Sequence, residues 1–280
     1  MPWFVQAIET TICLPRREIS TEYEGKKIFI RPATKDLYAD VSICFEQGSS
    51  ELESRKTVAR FLNALAWAYR NPIHERPATG GTVRGRVGKN FINHGIGDID
   101  LDCLPDISHD ENKALALSLY RNALSVNSIT SVGVELIRIL EIQLGQNSEK
   151  IKNWFNEQLK NIQDVEWESV LPHDLEAKRR LTELQKEHSG LNVGNYLYKN
   201  TRNSSAHAAN NPNDPHDPEH FDRLVEDLCV VWYLVEKFIE VEIGIESIYR
   251  QRPILPSMYT CMKLSGMLNA ENKSEKNEEA

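Results

Sequence analysis

The segment "YLYKNTRNSSAHAANNP", residues 196–212, places Arg202, Asn203 and His207 among small polar neighbours. Histidine titrates near neutral pH and can accept or donate a proton, while a guanidinium group can hold a phosphate through paired hydrogen bonds. Asn203, one helical turn before His207, can orient an imidazole or hold a sugar. The three residue types therefore suit proton transfer at a phosphate ester, in a scheme that requires neither a metal ion nor a cofactor.

Helical spacing places these residues on two stripes. Tyr196, Asn200, Asn203 and His207 follow one stripe, whereas Arg202 follows another, about 140° away from His207 on an ideal helix. Joint action on one ligand requires a bent helix end or a second subunit. The alternative is structural: Arg202 pairs with a surface carboxylate, and His207 caps carbonyl groups at the helix C-terminus.

A second basic stretch is "RPATGGTVRGRVGKN", residues 76–90, which has no acidic residue. The net charge of −8 disfavours non-specific coating of nucleic acid, so any RNA contact must be local. Arg84, Arg86 and Lys89 are the predicted RNA-binding residues of this stretch. The alternative is a solvated basic hairpin. The stretch departs from a phosphate-binding loop, since Val83 stands where a glycine is needed and Asn90 follows Lys89.

Two further groups contain residue types that bind metal ions. His216 and His220 have the i, i+4 spacing of metal-binding helices, but the intervening Asp217-Pro218 is better explained as a helix start. Asp98, Asp100 and Asp102 have the spacing of residues on one face of a strand. A solvated strand face is the better explanation of this spacing than a metal site. We predict no metal site.

The composition is that of an ordinary globular protein, with 40% hydrophobic and 26% charged residues. No apolar run approaches the roughly 18 residues of a membrane span, and the five cysteines form no CxxC pair. These features predict a cytoplasmic protein with reduced thiols and no membrane partner.

The residues before about 110 predict an α+β region. The runs "WFVQAIETTICL", "KKIFIRPA" and "ADVSICFE" predict strands. Ser50 and Glu53 form a capping box ahead of a helix that Asn71-Pro72 stops. The glycines between residues 79 and 103 indicate a hairpin or irregular strands.

From about residue 111 the pattern is helical. Two helices are predicted with a break near Asn127-Ser128, and "SEKIKNWFNEQLKNI" predicts a third. A fourth is predicted behind Pro172, with Asp174 as its cap and Gly190 as its end. A fifth covers roughly 191–208.

The sixth helix has the clearest pattern, with Asp217 as N-cap and Pro218 at its first position. Apolar residues then recur at spacings of three and four, which predicts a core helix. They are Phe221, Leu224, Val225, Leu228, Trp232, Val235, Phe238 and Ile239.

The motif Arg202-Asn203-Ser204-Ser205-Ala206-His207 resembles the signature of HEPN domains, which is Arg, four to six residues, then His. The wider pattern over about residues 110–250 is similar to the MauJ-like (methylamine-utilisation) branch, in which a β-containing part precedes the helical domain. The resemblance implies an all-α HEPN-like bundle at residues 110–250. Residues 1–109 then form the α+β domain, and residues 251–280 form an extension that is disordered from about 269.

Many HEPN proteins are metal-independent endoribonucleases that dimerise so that two motifs face one cleft, and others only bind RNA. The resemblance thus implies a homodimer that binds or cleaves RNA, with Arg202, His207 and Asn203 as catalytic residues. The alternative is a non-catalytic accessory or scaffold protein of a metabolic or defence operon, acting with a partner protein from that operon.

Overall fold

The structure is a computed structural model. It describes residues 2–45, 50–88, 97, 99–102, 104–126, 128–162, 172–188, 192–206 and 218–246. These residues form two compact units, one running to Val126 and continued by the chain from Ile239, and one covering 128–238. The prediction of an α+β N-terminal region followed by a helical region is confirmed.

The first unit contains a five-stranded antiparallel sheet in the order β2-β3-β4-β1-β5. Its strands are β1 Trp3–Thr10, β2 Ile19–Tyr23, β3 Lys26–Arg31, β4 Ala39–Cys44 and β5 Ile73–Gly81. Glu24 and Gly25 join β2 to β3 with φ of 53° and 65°. Positive φ at both residues is what a two-residue type I′ hairpin requires.

Helix α1, Glu51–Tyr69, covers one face of the sheet. The predicted cap is confirmed, since Ser50 Oγ accepts a hydrogen bond from the backbone N–H of Glu53 at 3.1 Å. The rings of Phe61 in α1 and Tyr23 in β2 pack edge to face, with their centroids 5.4 Å apart. Ile28 and Ile30 are fully buried. Alternation along the strands leaves Trp3, Phe29 and Ser42 on the opposite face.

Helix α2, Glu111–Ser125, packs on α1, where the Tyr120 ring lies 5.0 Å from that of Trp67. Trp67 also donates a hydrogen bond from Nε1 to the carbonyl of Glu246 at 3.2 Å. The predicted break before the next helix is confirmed, and Ser128 is the N-cap of α3.

The second unit is a bundle of helices. They are α3 Ile129–Leu144, α4 Ser148–Ile162, α5 Pro172–Glu187, α6 Val193–Ala206 and α7 Pro218–Val241. The end of α7, from Ile239, belongs to the first unit. Helix α5 begins at Pro172, so the prediction that Asp174 is its N-cap is wrong: proline fits the first helical position, where no N–H is needed.

Helix α7 begins at Pro218 as predicted. Leu224, Leu228, Val235 and Phe238 are buried. The prediction that Phe221 belongs to the core is wrong: its side chain is exposed, as are its neighbours Asp222 and Arg223, so the buried stripe begins at Leu224. None of the helices in the described ranges is both long and apolar enough to cross a membrane.

Candidate functional site

Helix α6 carries the Arg202 motif, and α4 fixes where this helix begins. The first helical hydrogen bond runs from the N–H of Tyr196 to the carbonyl of Asn192 at 2.9 Å. The N–H of Gly194 lies before that bond and so has no partner within the helix; it donates a hydrogen bond to Asn156 Oδ1 of α4 at 2.9 Å. A Cβ on Gly194 would lie 2.6 Å from that oxygen, so only glycine allows this contact.

Helix α3 lies close against α6 immediately before Arg202. A Cβ added to Gly133 of α3 would stand 2.7 Å from Thr201 Cγ2 and 3.0 Å from the Thr201 carbonyl oxygen. These separations are shorter than an ordinary van der Waals contact between carbon atoms. The absence of a side chain at Gly133 therefore determines how near the two helices approach.

Arg202 lies on the side of α6 that faces α3. Its Cζ is 5.6 Å from the centroid of the Tyr198 ring, and its Nη1 donates a hydrogen bond to the Tyr198 hydroxyl. Its Nη2 lies 3.6 Å from Glu141 Oε1 of α3. That distance makes an ion pair but exceeds a hydrogen bond. The side chain is 41% exposed, so the guanidinium is positioned by its neighbours and still reaches solvent.

The other stripe of α6 faces α7. The Tyr196 hydroxyl donates to Asp227 Oδ2 at 2.8 Å, and Asn200 Nδ2 donates to the same oxygen at 3.1 Å. Arg180 of α5 donates from Nε to Asp227 Oδ1 at 2.8 Å. Asp227 is fully buried, so this carboxylate joins three helices in the interior of the bundle.

Burial dominates the electrostatics of this junction. It raises the pKa of the Asp227 carboxyl, and the Arg180 charge with the hydroxyl and amide donors limits the rise. Burial and the Asp227 charge together raise the pKa of the Tyr196 phenol. The phenol therefore remains a proton donor at neutral pH, as its hydrogen bond requires.

The two predicted stripes are thus separated in one chain: Arg202 contacts α3, and Tyr196 with Asn200 contacts α7. Asn203 belongs to α6, and its side chain lies outside the described part, as does His207. The joint action of Arg202, Asn203 and His207 stays a prediction.

Arg84 lies on the sheet face opposite α1. Its Cζ is 4.9 Å from the centroid of the Trp3 ring and 4.8 Å from that of Phe29. It donates from Nε to Ser42 Oγ and from Nη1 to Glu18 Oε2, both at 2.8 Å. The aromatic and polar contacts attach residue 84 to strands β1, β3 and β4.

Arg86 is attached to the same sheet. Its Nη2 donates to the carbonyls of Pro32 at 2.6 Å and Tyr38 at 3.0 Å, and its Nε lies 3.4 Å from the buried carboxylate of Asp40. Burial lowers the pKa of Arg86, and the Asp40 charge opposes this. Lys89 lies outside the described residues. RNA binding by this stretch stays a prediction, now alongside a structural role for its two arginines.

Sequence reasoning missed the Arg180–Asp227 pair. The two residues lie 47 positions apart, and "EAKRRLTE" reads as a solvated helix face. One signal was present: Asp227 stands at helical spacing between Leu224 and Val231, so an acid occupies the apolar stripe of α7. Within the described ranges no three His, Cys, Asp or Glu residues could together hold a metal ion.

Comparison with known proteins bears on the helical region. The family model described as "Methylamine utilization protein MauJ" matches residues 116–240, from within α2 to the end of α7. No curated protein and no solved structure matches the chain. The chain is therefore MauJ-like over the region that contains the Arg202 motif, as its sequence predicted, and HEPN membership stays a prediction.

Proposed function

We propose that this protein binds RNA through the end of α6 and cleaves it without a metal ion, using Arg202, His207 and Asn203. The observation that carries the proposal is the position of Arg202. Its side chain is 41% exposed in the C-terminal part of α6, and its guanidinium is oriented by Tyr198 and forms a long ion pair with Glu141. A phosphate oxygen can form shorter, charge-assisted hydrogen bonds with this group.

The proposed reaction is an internal transfer at phosphorus. His207 takes the proton from a ribose 2′-hydroxyl, whose oxygen attacks the adjacent phosphate. The bond from phosphorus to the 5′-oxygen of the next nucleotide breaks, and the protonated imidazole returns the proton to that oxygen. Arg202 stabilises the charge that develops on the phosphate, and Asn203 orients the imidazole. The products are a 2′,3′-cyclic phosphate and a 5′-hydroxyl.

The separation of the two stripes supports a homodimer in this proposal. Arg202 contacts α3, whereas the stripe that includes Tyr196 and Asn200 contacts α7. A second copy of the chain can supply His207 to Arg202, which in its own chain contacts α3. We place the dimer and its activity in the cytoplasm.

A second candidate is a non-catalytic accessory or scaffold protein that binds the product of a neighbouring gene in a metabolic or defence operon. The ion pair between Arg202 and Glu141 favours it, because it gives the arginine a role in joining α6 to α3. The matching family, methylamine utilization protein MauJ, fits a metabolic operon.

The test is incubation of the purified protein with total cellular RNA in EDTA, followed by mapping of new ends. Cleavage is expected to yield 2′,3′-cyclic phosphates, and His207→Ala and Arg202→Ala are each expected to abolish it while changing the free energy of unfolding by less than about 1 kcal/mol. Arg138→Ala is the matched control, since Arg138 is a similarly exposed arginine on α3 paired with Glu135.

Two outcomes contradict the proposal. If the His207→Ala protein cleaves RNA at the wild-type rate, this motif is not the nuclease site. An inactive parent whose Arg202→Ala variant is strongly destabilised favours the scaffold role.

A further inference from the structure

A second cation lies beside the Tyr198 ring. Lys152 of α4 places Nζ 5.6 Å from the ring centroid, the same distance as the Arg202 Cζ. Tyr198 itself is buried, with 5% of its surface exposed. One cation from α4 and one from α6 therefore lie beside the same ring. Lys152 Nζ and Arg202 Cζ are separated by no more than twice that distance.

We propose that Lys152 and Arg202 form a two-cation site that binds neighbouring phosphates of one RNA strand. The site deepens the RNA binding proposed above and rests on it. A nucleic acid strand carries one phosphate for roughly each 3.4 Å of axis, so a strand that crosses Tyr198 presents phosphates to both cations. The guanidinium offers a fork of donors, whereas the ammonium acts as a point charge, so the two cations contribute differently to recognition.

The acidic neighbours determine how such a site works. Lys152 Nζ lies 2.6 Å from Glu149 Oε1, one turn earlier on α4, and the Glu149 side chain is 72% exposed. Only the carboxylate of this pair is well exposed, since the Lys152 side chain is 15% exposed. The solvated Glu149 is therefore the group that a phosphate replaces at the ammonium. Glu149 therefore competes with RNA for Lys152, and its removal favours binding.

Two nearby residues give opposite expectations. Lys152→Gln removes a phosphate contact, and Glu149→Gln removes a competitor. Lys150 is exposed on the same helix and supplies a control of identical charge. Lys152→Arg retains the charge and is expected to retain binding.

The experiment measures the affinity of the full-length His207→Ala protein for a labelled single-stranded RNA by fluorescence anisotropy at several salt concentrations. Lys152→Gln is expected to weaken binding about 3- to 10-fold and to reduce the slope of log K against log salt by about 0.7, the value for one phosphate of a single strand. Glu149→Gln is expected to strengthen binding, and Lys150→Gln to leave the slope within error.

Three outcomes would overturn the site. Lys152→Gln and Lys150→Gln could have equal effects, Glu149→Gln could weaken binding, or the parent protein could fail to bind RNA at low salt. Cleavage by the wild-type protein is assayed in parallel. A Lys152 effect on binding in a protein that cuts nothing refutes the nuclease and retains the phosphate site. Cleavage without a Lys152 effect refutes the site and retains the nuclease.

Discussion

Removal of the Asp227 carboxylate tests whether the buried ion pair holds the helical unit together. Asp227 is fully buried, and Arg180, its partner at 2.8 Å, is 4% exposed. Asp227→Ala leaves the guanidinium in the interior without its nearest acid, and it also leaves the Tyr196 and Asn200 donors without their acceptor. Breaking one side of a buried ion pair typically costs about 3–5 kcal/mol.

The structure places the expected cost near the lower end of that range. Arg180 keeps Glu183 at 3.3 Å and Glu187 at 3.2 Å, both partly exposed. These carboxylates offset part of the loss, so we expect about 3 kcal/mol. The neighbouring Glu226 supplies the matched control: it pairs with Arg179 at 2.9 Å, where the side chains are 33% and 44% exposed, and it lies 4.0 Å from Arg180 Nε, beyond hydrogen-bond distance. Glu226→Ala is expected to cost less than about 1 kcal/mol.

Urea denaturation followed by circular dichroism at a helical wavelength measures the difference. With a slope of about 1–3 kcal/mol/M, a loss of 3 kcal/mol moves the midpoint of the helical unit down by about 1–3 M. Equal midpoint shifts for Asp227→Ala and Glu226→Ala would refute the reasoning, because the buried pair would then contribute no more than the exposed one.

Gly133→Ala is expected to lower the melting temperature, at a cost of about 1–3 kcal/mol, because the added Cβ would stand 2.7 Å from Thr201 Cγ2. The same change in an open helix stabilises it by roughly 1 kcal/mol, so a higher melting temperature would contradict the close packing of α3 on α6. Replacement of Arg84, Arg86 and Lys89 by Gln is expected to weaken RNA binding and flatten its salt dependence. The first two substitutions also remove contacts with the sheet and should lower the stability of the first unit; unchanged affinity at low and moderate salt would contradict RNA binding by this stretch.

Local signals predicted much of the fold. The Ser50 N-cap, the break before Ser128 and the proline start of α7 each depend on a few consecutive residues, and each is present in the structure. Strand β2 was not predicted. Its residues, Ile19–Tyr23, alternate between half-buried and exposed positions, and only Tyr23 is buried, because β2 is an edge strand paired only with β3. The apolar signal in its sequence is therefore weak.

The candidate site was predicted less completely, because its geometry comes from other helices. The motif identified Arg202, but Glu141, Lys152 and the Tyr198 ring that surround it lie on α3, α4 and the preceding turn of α6. The residue pattern of α6 alone does not specify which side chains of other helices Arg202 contacts. The sequence specifies the angle between two stripes, and only tertiary packing specifies what each stripe contacts.

The contact between Asn156 and Gly194 links the start of α6 to α4. Gly, Asn, Thr and Ser supply seven of the fourteen residues of α6, and these are weak helix formers. A helix of this length is marginal in isolation even with a favourable composition. We therefore expect α6 to depend on its contacts with the neighbouring helices, among them the hydrogen bond to Asn156. A fragment of the chain without α4 is expected to lose the helix, and with it the position of Arg202.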